Sequence, residues 1–462
     1  MSEQVQAQNP AAPTVVSLVS PNLPADQGLS SLGLLLQLGG SISAAFVCVA
    51  GFIWLWAATW MGGGAMLGIL LISILGLVRS LMHRAAGTEL LYGPQPLRGI
   101  KRYTVVALAH SALLALVLAS PLYQLPVRTS VAIGLACATW PAILLLILRQ
   151  PRFQRYQDEL PISEDKGFEG AAVLMTILGI AGLCVGGVLL WTMIQIPGAL
   201  RGLGALLVLT LGLLVIRSVV HVAAGVSGLG NASLDLSVER VGRYANLGII
   251  SALLTAGVMF LSVVGSRADF SSILSIAVIG WVLAIWPLIL RRYFAERHFA
   301  SLLAGNDDPI HRRAPDTGLT ALGWLLISMG GAQLSLSVLA IVGGSADLRD
   351  LGHLLPALSG NVWTAALISL AHIGAGVTVV QMNRHHRAVV TAVGSITLVL
   401  QASNLWPTWK ALTTNTLGEY PSLTATLGLS MVPLVTAAVM IALVQRKVTP
   451  MARATIRVPA RQ

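Results

Sequence analysis

The sequence predicts an all-α polytopic membrane protein of about 12 transmembrane helices, arranged as three parallel four-helix repeats around a pseudo-threefold axis. Three observations predict it. Hydrophobic residues make up 55% and charged residues 10% of the 462-residue chain, a balance far more apolar than that of a soluble domain. Nearly uncharged runs of about twenty residues recur, separated by connections too short to hold a soluble domain. A motif, Ser-x-x-His-x-x-x-Gly, closes three of those runs, as Ser80/His83/Gly87, Ser218/His221/Gly225 and Ser369/His372/Gly376.

The chain divides at 1–29, a Pro/Ala/Ser/Gln-rich segment read as a disordered tail, because it lacks the positive start of a signal peptide. Residues 30–160, 161–310 and 311–448 form the first, second and third repeat, and 449–462 a basic tail. The first repeat takes spans near 32–58, 62–86, 100–121 and 129–149. The second takes 169–194, 200–226, 243–264 and 271–291, and the third 318–343, 361–382, 387–404 and 423–445. Each is long enough to cross about 30 Å of hydrocarbon as a helix.

Charge placement supports the count. In this alternation all but five of the 29 Lys and Arg residues fall on one side, the exceptions being Arg128, Arg201, Arg267, Arg349 and Lys410. The positive-inside rule then puts both termini in the cytoplasm of a bacterial inner membrane. The basic surplus is therefore a matter of lipid topology, and no nucleic-acid partner is expected. Trp54, Trp56, Trp60, Trp191, Trp363, Trp406 and Trp409 gather at the expected outer ends, as an aromatic belt does.

The repeat extends beyond its motif. The fourth span of each unit carries a proline, Pro141, Pro287 and Pro433, at equal intervals of 146 residues. The third span opens with Arg102, Arg243 or Arg387, and a polar residue follows eight places later, His110, Ser251 or Ser395. An even number of crossings per unit makes the copies parallel.

Function is less legible. His83, His221 and His372 lie within the hydrocarbon; His372 is about 18 Å along its helix from Arg384. Intramembrane ionisable residues are pathway candidates by default, and with His110, Ser251, Ser395, Arg102, Arg243 and Arg387 they define an expected cavity about the axis. The competing reading makes the same motif a packing device, in which Ser80, Ser218 and Ser369 bond backbone and Gly87, Gly225 and Gly376 admit a neighbouring helix, with Pro141, Pro287 and Pro433 accommodated by their surroundings. Arg79 and Arg217 stand one turn before two of the histidines and are expected to snorkel to lipid phosphates; Ile368 takes that place in the third unit.

Other chemistry is thinner. His83 and His110 on consecutive helices have the form of a haem-ligand pair, unmatched in the other units, and Gly225-Val226-Ser227-Gly228 resembles an intramembrane protease signature found once in a chain with 46 glycines. No cofactor, metal site or enzymatic activity is expected. The 18 acidic residues fall in tails, loops and helix ends, which disfavours carboxylate-driven transport, and no nucleotide-binding loop is present. Cys48, Cys137 and Cys184 lie inside apolar runs, remote from disulfide or metal spacing. The sequence thus favours a passive conduit or carrier for a small neutral or anionic solute or a lipid. The alternative is a non-transporting scaffold that anchors partner membrane proteins, with Gly62-Gly63-Gly64, Gly186-Gly187 and Gly330-Gly331 at close helix contacts.

Overall fold

The protein is described by a computed structural model over residues 28–58, 63–92, 96–123, 125–150, 153, 168–195, 202–229, 234–264, 270–295, 317–343, 362–381, 383–414 and 434–445. Apart from short turns, the described residues are helical, with no strand among them. In chain order the helices are α1 (Leu29–Ala58), α2 (Gly63–Tyr92), α3 (Pro96–Leu118), α4 (Val127–Leu148), α5 (Phe168–Gln195), α6 (Leu203–Leu229), α7 (Leu234–Val264) and α8 (Phe270–Phe294). They continue as α9 (Thr317–Gly343), α10 (Val362–Val380), α11 (His386–Thr414) and α12 (Leu434–Gln445). A 3-10 turn, Pro121–Tyr123, joins α3 to α4, where the Tyr123 hydroxyl donates to the Ala65 carbonyl at 2.8 Å.

Ten of these helices, α1 to α10, are long and apolar enough to span a membrane. The chain is therefore a multi-pass integral membrane protein in contact with lipid. The expected eleventh and twelfth spans are helical where they are described, as α11 and as part of 423–445 in α12, but are not among those ten. The tails at 1–27 and 446–462 lie outside the described residues.

Packing is organised by α1, α5 and α9. Their first ten or so residues are almost wholly buried: Leu29, Leu32, Leu34 and Leu36; Ala171 to Met175; Ala321, Leu322 and Trp324 to Ile327. Here the three helices touch one another. Further along, burial becomes sporadic in α5 and α9, and in α1 none of residues 42–56 is buried. Neighbouring helices pack in sequence in three groups, α1–α4, α5–α8 and α9–α11, and two outer contacts run between these groups. Helix α8 packs on α1, where the Trp281 indole donates to the Ser41 carbonyl at 3.3 Å. Helix α4 packs on α9, with Trp140 and Ile143 against Gly331. At the far end of that contact Arg128 donates to the Ile341 and Val342 carbonyls, a cation on the negative end of the α9 dipole.

Within each group the first two helices meet through small residues. A Cβ added at Gly87 would lie 2.5 Å from the Gly33 carbonyl oxygen, one at Gly225 2.8 Å from that of Ala172, and one at Gly376 2.5 Å from that of Gly323. Seven residues after each of those partners stands a second glycine, and there too a Cβ would strike backbone: Gly40 against Ser80, Gly179 against Val222 and Gly330 against Ser369. Two turns of close approach of this kind require residues without side chains at both contact points.

Candidate functional site

The motif histidines stand on α2, α6 and α10, one turn before the glycines that bring those helices against α1, α5 and α9. That backbone contact fixes where each imidazole can point. In the first group the His83 ring stacks on Tyr103 of α3, with centroids 4.4 Å apart and 7° between planes, and its Nε2 accepts from the Trp140 indole of α4 at 3.4 Å. In the second group His221 stacks on Tyr244 at 4.0 Å and 6°, and its Nε2 accepts from the Trp286 indole at 3.0 Å. Each imidazole is thus a lynchpin across three helices.

The arginines one turn earlier complete these clusters. A proline in a helix lacks the N–H that would bond the carbonyl four residues back. Pro141 thereby frees the Cys137 carbonyl and Pro287 that of Leu283. Arg79 donates to the first and Arg217 to the second, each at 2.6 Å. Arg79 also reaches Ser111 at 3.1 Å and the His110 ring at 3.4 Å, while Arg217 reaches Ser251 at 3.3 Å and the Gly248 carbonyl at 3.4 Å. The expectation that these arginines snorkel to lipid phosphate is overturned: Arg217 is buried, and both guanidiniums turn inward because unpaired carbonyls and hydroxyls await them there.

The third group departs from this pattern. Ile368 replaces the arginine, so His372 is approached differently, by Thr397 of α11, whose Oγ1 lies 3.1 Å from Nε2. Ser395, the residue expected to match His110 and Ser251, is exposed. Thr397, two places on, sits 146 residues after Ser251, the same interval as between the prolines, and occupies the inward position. The interval of 146 residues is present in the sequence, whereas the spacing of eight residues from Arg387 leads to Ser395.

The remaining predicted residues fall as follows. Arg102, Arg243 and Arg387 are exposed at the starts of α3, α7 and α11, with Arg243 paired to Glu239. Ser80, Ser218 and Ser369 donate to the carbonyls of Gly76, Leu214 and Ala365 on their own helices, and Ser80 also meets Ser43 at 2.9 Å. Pro141 and Pro287 lie inside α4 and α8, whereas Pro433 is outside the described residues. His83 and His110 do not face each other as a ligand pair: His83 is taken up by Trp140 and Tyr103, and the His110 Nε2 points to the Ile72 carbonyl at 3.4 Å. Ser227 donates to Ala224. Among the described residues no group of three or more His, Cys, Asp or Glu is placed to hold a metal.

Fold and site together define a class, a multi-pass helical membrane protein whose intramembrane polar residues are gathered in discrete clusters. The chain matches no protein-family model, no curated protein and no solved structure.

Proposed function

We propose that this protein is a non-transporting scaffold of a bacterial cytoplasmic membrane, built from three parallel four-helix units about a pseudo-threefold axis, with both termini inside and no chemistry of its own. The observation that carries this reading is the use made of the intramembrane polar groups. His83, His221, Arg79 and Arg217 spend their hydrogen-bonding capacity on neighbouring helices, and the first halves of α1, α5 and α9 close on one another with leucines. A bundle fixed in this way is suited to holding others in place. Open small-residue surface supports it further: Gly187 on α5 and Gly212 on α6 have nothing within 4 Å of an added Cβ, so a partner helix can approach closely there.

A passive conduit for a small neutral or anionic solute or a lipid is the second reading. It draws on the uncovered remainder of α1 beyond Ser41, which leaves room for entry from the far side as deep as mid-membrane.

Aqueous access separates the two. With Cys48, Cys137 and Cys184 replaced, His221→Cys and His372→Cys are challenged with a membrane-impermeant thiol reagent from each side of sealed vesicles. The scaffold predicts protection at both positions while an Arg102→Cys control labels. Labelling at either histidine position, with solute flux in proteoliposomes, would replace the scaffold by the conduit.

A further inference from the structure

We propose that the outer face of α2, toward its Tyr92 end, binds one phospholipid whose headgroup carries both a phosphate and a primary ammonium, of the ethanolamine class. The proposal goes beyond the scaffold and conduit readings and depends on neither.

A groove of about 430 Å³ runs along that face, lined by Leu81, Arg84, Ala85, Thr88, Glu89 and Tyr92. These residues recur every three or four places, so the groove follows the helix axis for about 16 Å. Neighbouring helices set its two edges. On one side the backbone of Arg84 lies against Gly40 of α1, and on the other the Glu89 carboxylate lies against Gly99 of α3. At the outer end Arg292 of α8 stands over the Tyr92 ring, 5.7 Å from its centroid. Exposed Arg98, Lys101 and Arg102 follow at the start of α3, which puts Tyr92 at the polar margin of the span and Leu81 toward its interior.

Two opposite charges carry the inference. Arg84 is exposed and Glu89 half-buried, and neither side chain has a hydrogen bond or ion pair among the described residues. They do not serve each other, because five residues turn the helix through about 140° and set the two on opposite edges. Thr88, between them, is already occupied: its hydroxyl donates to the Arg84 carbonyl and accepts from the Gln37 amide, each at 3.2 Å. A simple anion would meet the Glu89 carboxylate, and a simple cation the Arg84 guanidinium. A zwitterion matches both, with phosphate oxygens on the guanidinium and an ammonium on the carboxylate.

Order along the helix selects a lipid. From the interior outward the groove presents Leu81, then Arg84, then Glu89 about 7.5 Å further on. A phospholipid in that leaflet presents acyl chain, phosphate and amine in the same order. Beyond Leu81 the exposed side chains of Val78, Ile74 and Leu67 continue the same face of α2 into the membrane, a track for the acyl chain. A primary ammonium suits Glu89 better than a quaternary one, because the carboxylate accepts hydrogen bonds and a choline nitrogen has no N–H to give.

The test is a lipid titration of the full chain in detergent, read by native mass spectrometry, with dioleoyl phosphatidylethanolamine, phosphatidylglycerol and phosphatidylcholine. One ethanolamine lipid is expected to be held at least about fivefold more tightly than either of the others. Glu89→Gln should remove that preference without weakening the glycerol lipid, and Arg84→Gln should weaken the ethanolamine lipid by a similar factor. Unfolding midpoints equal to wild type in lipid-free detergent report that both variants are intact. Tighter binding of the glycerol lipid to the wild type would overturn the zwitterionic assignment. Three equal affinities that neither substitution alters would overturn the site itself. Displacement of the bound lipid by tail-less glycerophosphoethanolamine at equal concentration would make the ligand a soluble headgroup and overturn the lipid.

Discussion

The Arg217 guanidinium lies 2.6 Å from the Leu283 carbonyl, the group that Pro287 deprives of its helical partner. Arg79 and Cys137 repeat the relationship around Pro141. Proline and arginine thus form one device: the kink creates an acceptor inside the membrane, and a cation on a neighbouring helix occupies it. A double-mutant cycle measures the device directly. Arg217→Leu in the natural background leaves the Leu283 carbonyl unpaired, a loss worth about 1–3 kcal/mol for a buried acceptor. In a Pro287→Ala background the alanine N–H fills that carbonyl, and the same substitution should cost at least about 1 kcal/mol less. Unfolding in detergent reads both costs. Equal costs in the two backgrounds would show that arginine and proline act independently.

Trp286 and His221 give a second test. Trp286→Phe keeps an aromatic ring, though a smaller one, and removes the donor, leaving His221 Nε2 buried without a partner, and is expected to destabilise the protein by about 1–3 kcal/mol. Trp140→Phe should cost less, since that N···N separation is 3.4 Å against 3.0 Å. Comparison of the two unfolding midpoints checks the order, and a larger loss at Trp140 would mean that indole packing outweighs the hydrogen bond.

The small-residue contacts predict opposite outcomes for glycines two residues apart. A Cβ at Gly376 would lie 2.5 Å from the Gly323 carbonyl oxygen and must push α9 away, so Gly376→Ala is expected to cost about 1–3 kcal/mol. Gly374 has nothing within 4 Å, and Gly374→Ala should be neutral or stabilising by up to about 1 kcal/mol through helix propensity. Gly225→Ala, which would meet the Thr176 backbone nitrogen at 2.6 Å, should follow Gly376→Ala. If Gly374→Ala proves the more harmful, the α9–α10 contact is not the one that holds the third unit.

Much of this architecture is legible in the sequence, for a physical reason. Lipid allows only helices or closed barrels, whose backbone is internally satisfied, and the long uncharged runs here suit helices, so apolar length and arginine placement are enough to mark α1 to α10. The expectation that His83, His221 and His372 matter rests on their place in apolar runs alone. What they touch does not. Partner choice depends on which face of α3, α7 and α11 turns inward, and a difference of two residues moves a side chain through about 200°. That is why Ser395 points outward while Thr397 meets His372. The snorkelling expectation fails at Arg79 and Arg217 for another reason. Their positions near the basic ends suit snorkelling, and only the prolines on α4 and α8, more than fifty residues on, reveal the carbonyls that draw them inward.

Membrane orientation is the last expectation open to direct measurement. Arg102, Arg243 and Arg387 are exposed at one set of helix starts, whereas Arg128 stands at the start of α4 on the opposite end of the bundle. In a background with Cys48, Cys137 and Cys184 replaced, Arg102→Cys, Arg243→Cys and Arg387→Cys should react with an impermeant thiol reagent only in inverted vesicles. Arg128→Cys should react only in right-side-out ones. The inequality of basic residues makes the sign of this result a test of the positive-inside rule itself, because one cationic loop near a span biases its placement and the imbalance here extends over every group of helices. All four positions labelling from a single face would mean that a helix among α1 to α4 fails to cross, and the parallel arrangement of the three units would fall with it.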